Sequence, residues 1–142
     1  MKSLVLILAI VSFSSFACPD LTGTYTQCDS ASRRDLPEDL IVKIKMTNSN
    51  SYLITYESEQ EISTQEVIAD GIEREGTIIS SRFGTIDFTV KASCFRSELT
   101  VSGTTRLIGL PVRETSKLRL AGGVLHIDRI KFGRVIESFR CQ

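Results

Sequence analysis

Four cysteines, Cys18, Cys28, Cys94 and Cys141, and a single histidine, His126, are the side chains of this 142-residue chain whose chemistry is most distinctive. Ser-His-Asp catalysis has only His126 to act as base, and no Gly-x-Ser-x-Gly elbow accompanies it. Between Leu125 and Ile127 it reads as a strand residue facing solvent or a polar layer, so no catalytic residue is assigned. With one imidazole, and with cysteine spacings that match no zinc pattern, no metal site is expected. Glu57, Glu59 and Glu61 offer too few oxygens at defined spacing for calcium and read as a solvated edge or loop. Gly84, Gly103, Gly109, Gly122, Gly123 and Gly133 are scattered at turns rather than gathered as a phosphate loop, which leaves nucleotide binding without support. No cofactor is expected, and the protein is read as non-enzymatic.

The even cysteine count fits two disulfides in an exported chain. Lys2, the apolar run Leu4 to Val11, and small residues at Ser15 and Ala17 have the layout of a secretory signal peptide cleaved after Ala17. The run is too short to span a bilayer, and nothing later approaches the roughly 20 apolar residues a membrane helix needs. Residues 1–17 are therefore expected to be removed and residues 18–142 to form one domain, periplasmic or secreted. Cys18 would then be the first residue. Ser15-Phe16-Ala17 lacks the leucine usual three residues before a lipidated cysteine, so a disulfide at Cys18 is expected over a lipid anchor.

Whole-chain charge is balanced, with 17 basic and 17 acidic residues. Such a balance gives no electrostatic reason to expect nucleic acid or an anionic membrane as partner. Arg33-Arg34, in the polar stretch Asp29 to Asp39, reads as solvated loop charge. Pairing Cys18 with Cys28 is disfavoured, because an extended strand between them separates the sulfurs by more than ~25 Å, against ~5.5 Å between the Cα atoms of a bridge. The other two connectivities, Cys18–Cys94 with Cys28–Cys141 or Cys18–Cys141 with Cys28–Cys94, both staple a terminus into the sheet.

The elements that must position these residues are strands. Ile86, Phe88 and Val90 alternate with Asp87, Thr89 and Lys91, and Leu99 and Val101 repeat the pattern on the return, which predicts a hairpin with Cys94 near its turn. Leu40 to Met46 and Tyr52 to Tyr56 alternate in the same way around Asn48-Ser49-Asn50. Asp70-Gly71 predicts a two-residue hairpin between Gln65 to Ala69 and Ile72 to Arg74. Ser102-Gly103 predicts a turn or bulge, and an apolar phase shift near Asp128 predicts a second bulge. Gly109-Leu110-Pro111 predicts a break whose apolar Leu107, Ile108 and Leu110 form either a lid over a cavity or packing against a barrel end. Nine or ten short strands without a helical segment imply an all-β antiparallel meander, a closed or nearly closed barrel, with a β-sandwich as the alternative.

Leu21-Thr22-Gly23-Thr24-Tyr25 resembles the first-strand Gly-x-Trp signature of the lipocalin and fatty-acid-binding (calycin) barrels, with Tyr25 in the place of tryptophan. Cys18-Pro19-Asp20 ahead of it is similar to the start of small uncharacterised secreted proteins of Gram-negative bacteria. The calycin resemblance implies a binding function, and it implies that Arg140 of the last strand covers the Tyr25 ring. Two function classes follow. In the first, the barrel holds a small apolar or amphipathic molecule against Ile86, Phe88, Val90, Leu99, Val101, Leu118 and Leu120. In the second, the barrel is filled by its own side chains and its loops contact another macromolecule, as an inhibitor of a secreted enzyme does.

Overall fold

Eleven antiparallel strands follow one another around a nearly closed barrel in the computed structural model, which describes residues 17–31, 36–107 and 109–142. They are β1 (Gly23–Tyr25), β2 (Cys28–Ser30), β3 (Ile41–Asn48), β4 (Ser51–Glu57), β5 (Ile62–Ile68) and β6 (Arg74–Ser80). The chain continues through β7 (Gly84–Phe95), β8 (Glu98–Leu107), β9 (Leu110–Ala121), β10 (Val124–Lys131) and β11 (Arg134–Cys141). Residues 1–16 of the expected signal peptide, and Arg33-Arg34, lie outside the described residues. Among those described, no helix is long and apolar enough to cross a membrane.

Closure is achieved by the chain changing partners. β1 pairs with β3, and two residues later β2 pairs with β11, so the stretch from Gly23 to Ser30 bridges the first and last long strands. Gln142 holds the crossing point, accepting from the Thr26 and Gln27 amides at 2.8 and 3.3 Å and donating back to Gln27 at 3.0 Å. The bridge Cys28–Cys141 joins residues directly opposed across the β2–β11 ladder, their Cα atoms 4.0 Å apart. Cys18–Cys94 ties the segment ahead of β1 to the end of β7. The connectivity left open by the sequence is thus settled, and two disulfides place the protein in an oxidising, extracytoplasmic environment.

Gly23 and Tyr25 are coupled sterically. A Cβ at Gly23 would stand 2.9 Å from the Tyr25 ring, so only glycine lets the phenol fold back to donate to the Leu21 carbonyl at 3.0 Å. Arg140 does not cover that ring. Its neighbours Phe139 and Cys141 both face inward, and strand alternation therefore turns Arg140 to the exposed outer face.

Two turn expectations change. β8 runs through Ser102-Gly103 with regular pairing to β7 and β9. Gly103 serves packing instead: with Gly76 on β6, it makes room for the Phe88 ring, which a Cβ at either position would approach to 3.2 Å. Asp70-Gly71 does not close a two-residue hairpin, because β5 and β6 pair only at Ser63–Gln65 with Ile78–Ser80 and then splay. Asp70 instead accepts from the Ile72 amide and from Arg74, while the Gly71 amide donates to Ala92 of β7 at 2.8 Å. The second expected bulge is present, between Arg129 and Ile130.

Candidate functional site

Inward positions along each strand divide the barrel into a filled half and a hollow half. Val42, Tyr52, Ile54, Val67, Leu99, Leu118, Leu125, Ile127 and Cys141 are buried to within 1% and fill one half. The segment ahead of β1 plugs that end, with Leu21 fully buried and Tyr52 Oη donating to the Pro19 carbonyl at 2.6 Å. One or two inward positions further along the same strands the side chains become small or polar: Val101, Gly103 and Thr105 on β8, Val112, Glu114 and Ser116 on β9, Arg129 on β10, Glu137 on β11. They surround a cavity of about 530 Å³. Leu40, Phe88, Val101 and Phe139 give it an apolar base, and Leu36 and Pro37 form part of its lip.

One wall is ionic. Arg129 Nε donates to Glu114 Oε1 at 2.7 Å and its Nη1 to Glu137 Oε2 at 2.7 Å, with Lys131 Nζ 3.8 Å from Glu114 Oε2. The bulge beside Arg129 shifts the register between β10 and β11 at this triad. The side chain of Glu137 is only 9% exposed, against 41% for Arg129. An ion triad is a poor way to fill a barrel, since apolar side chains of similar volume stabilise as well or better. Burial works against the Arg129 charge, but the two carboxylates outweigh it and hold the guanidinium above its ordinary value. Across the hollow, Glu61 accepts from Ser80 Oγ at 2.5 Å, and Ser80 Oγ in turn accepts from the Arg82 and Phe83 amides, which ties the β4–β5 and β6–β7 connections together.

Tyr56 also lines the hollow, and burial pushes its phenol up to about 12; Arg129 pulls it down, and Glu114 and Glu137 push it further up. Burial, with the charge of Asp20 adding, puts Tyr52 at about 12 as well. A raised phenol contributes stability that is whole below the unfolded value of 10.0 and drains away as pH rises toward 12, at about 1.4 kcal/mol per unit. Tyrosinate absorbance of the folded protein is therefore expected to rise well above pH 10, and Tyr56→Phe to flatten the loss of stability between 10 and 12. A titration matching free tyrosine would show that these phenols are not buried.

The residues expected to line a ligand site are distributed unevenly. Phe88 and Val101 line the cavity. Val90, Leu99 and Leu118 belong to the filled half, and Ile86 is half-buried opposite Ile78. Leu120 keeps the inward parity of Leu118 but is 40% exposed, because β8 begins at Glu98 and leaves it beyond the barrel end. The expected lid is the tip of a regular β8–β9 hairpin closed by the pair Leu107 and Leu110, with Leu110 70% exposed. Ile108 and the Leu107 side chain lie outside the described residues. His126 pairs with Arg119 and Arg140 on the outer face, away from the hollow. Missed from the sequence were Glu114, Ser116, Arg129 and Glu137. Their signal was parity: Glu114 and Ser116 share the face of Leu118, and Glu137 that of Phe139.

Comparison with known proteins gives no match, whether to a family model, a curated protein or a solved structure. The fold and the site by themselves define an antiparallel meander barrel, calycin-like in outline, with half of its interior open.

Proposed function

We propose that this chain is an exported, non-enzymatic binding protein that holds a small amphipathic molecule in the hollow half of its barrel. The observation that carries the reading is the cavity of about 530 Å³, within the ~300 to 1,000 Å³ usual for small-molecule sites, apolar at its base and ionic on one wall. Phe88, Val101 and Phe139 suit an apolar body. Arg129 is already engaged by two carboxylates, and Glu137 uses only Oε2 in that pair, so among the described residues Oε1 is left to accept from a ligand. A head group bearing hydroxyl or amine donors fits this wall better than a carboxylate does. The lipocalin-like function implied by Gly23-x-Tyr25, and a signal peptide over residues 1–17, belong to the same proposal.

Native mass spectrometry of protein taken from its own periplasm or medium tests it. A small-molecule adduct released on unfolding is the expected result, whereas a bare polypeptide mass that also takes up no amphipathic fluorescent probe would count against it. Glu137→Gln, which keeps the shape and removes the charge, should weaken probe binding about tenfold, the scale of one charge-assisted hydrogen bond.

A further inference from the structure

The connections β6–β7, β8–β9 and β10–β11 are neighbours around the open end of the barrel, beside the mouth of the hollow. Each presents a large apolar side chain outward: Phe83 is 63% exposed, Leu110 70% and Phe132 85%. Phe132 makes no use of this position in folding. Its φ of 51° precedes Gly133 at 71°, a primed turn that favours Asn or Gly, and a bulky ring is strained there while packing against almost nothing.

The same three tips carry the basic residues Arg82, Arg106 and Arg134, all exposed and without an ion pair among the described residues. Arg82 lies over the Phe83 ring at 5.1 Å. No acidic residue falls within 81–83, 106–113 or 131–136. The described acids of this rim, Glu38, Asp39, Glu59 and Glu61, sit on the β2–β3 and β4–β5 connections, outside the three tips, where Asp39 accepts from the Glu59 amide and Glu61 from Ser80 of the adjoining β6–β7 end. The balanced net charge of the chain thus conceals a segregated rim.

From this juxtaposition we infer that the three tips dock on the surface of an anionic lipid bilayer. Separate protruding side chains flanked by guanidinium groups suit a soft interface, in which each ring settles among the head groups while each cation meets a lipid phosphate or carboxylate. A protein partner would call for a continuous complementary patch rather than three separate tips. Docking of this kind turns the mouth of the cavity toward the lipid. It does not depend on the cavity holding a ligand, so the two proposals fail separately.

Vesicle flotation of the purified protein tests the inference, using phosphatidylcholine alone and phosphatidylcholine mixed with phosphatidylglycerol. Binding to the anionic vesicles at low salt, weakened by raising salt to about 0.5 M, is expected. Arg82→Gln and Arg134→Gln should each cost about fivefold in vesicle affinity. Phe132→Gly should cost about tenfold while leaving the melting temperature equal or higher, because it relieves the positive φ. Absence of binding to anionic vesicles at low salt, or binding that Phe132→Gly leaves unchanged, would overturn it. So would a dimer that Phe132→Gly dissolves in the absence of lipid, which would assign the tips to a second copy of the chain.

Discussion

Reduction of the two disulfides should lower the stability of this protein by about 4 to 8 kcal/mol, enough to unfold most of it at ~37 °C. The bridges span 76 and 113 residues, and such long loops restrict the unfolded chain strongly. The seam bridge should matter more. β2 is three residues long, and its three-pair ladder to β11 is what closes the barrel, so Cys28→Ser with Cys141→Ser opens the sheet at its closing seam. Thermal melting followed by circular dichroism with and without reductant measures the effect. Alkylation of the denatured, unreduced protein should modify none of the four cysteines. An unchanged melting temperature on reduction would mean that the barrel closes without its staples.

Phe88→Ala has the second large effect, about 3 to 5 kcal/mol. The ring is 6% exposed, lies in the gap left by Gly76 and Gly103, and forms part of the cavity base, so its loss merges a new void with an existing one. Asp87 faces outward on the same strand, and Asp87→Ala should stay within about 0.5 kcal/mol. Equal losses in urea unfolding would show that the face assignment of β7 is wrong.

Alternation made the fold readable, because a strand with one face in the core must place apolar residues at every second position. Leu40 just ahead of β3, Val42 and Ile44 on β3, and Tyr52 and Ile54 on β4 obey this, and all are buried. The site was less readable for the same reason. Apolar inward residues such as Leu99 and Leu118 fill the barrel, and it is the polar residues of equal parity, Glu114, Ser116 and Glu137, that mark where it is hollow. Polarity at those positions resembles an exposed face until the register of neighbouring strands brings them opposite Arg129. Gly103 misled in a similar way: its role is to admit the Phe88 ring from another strand, which no local pattern reveals.

Binding of an amphipathic fluorescent probe to a barrel whose hollow has been filled tests the central claim most directly. Thr105 and Val112 are paired across β8 and β9 and both line the cavity, so Thr105→Phe with Val112→Phe places two rings in the empty space. The wild-type protein should bind the probe with saturable, single-site behaviour, and the double variant should lose that binding at least about tenfold while melting no lower, since the added apolar area is buried on folding. Probe binding that survives the filling unchanged would place the binding site elsewhere and contradict the account of the hollow barrel.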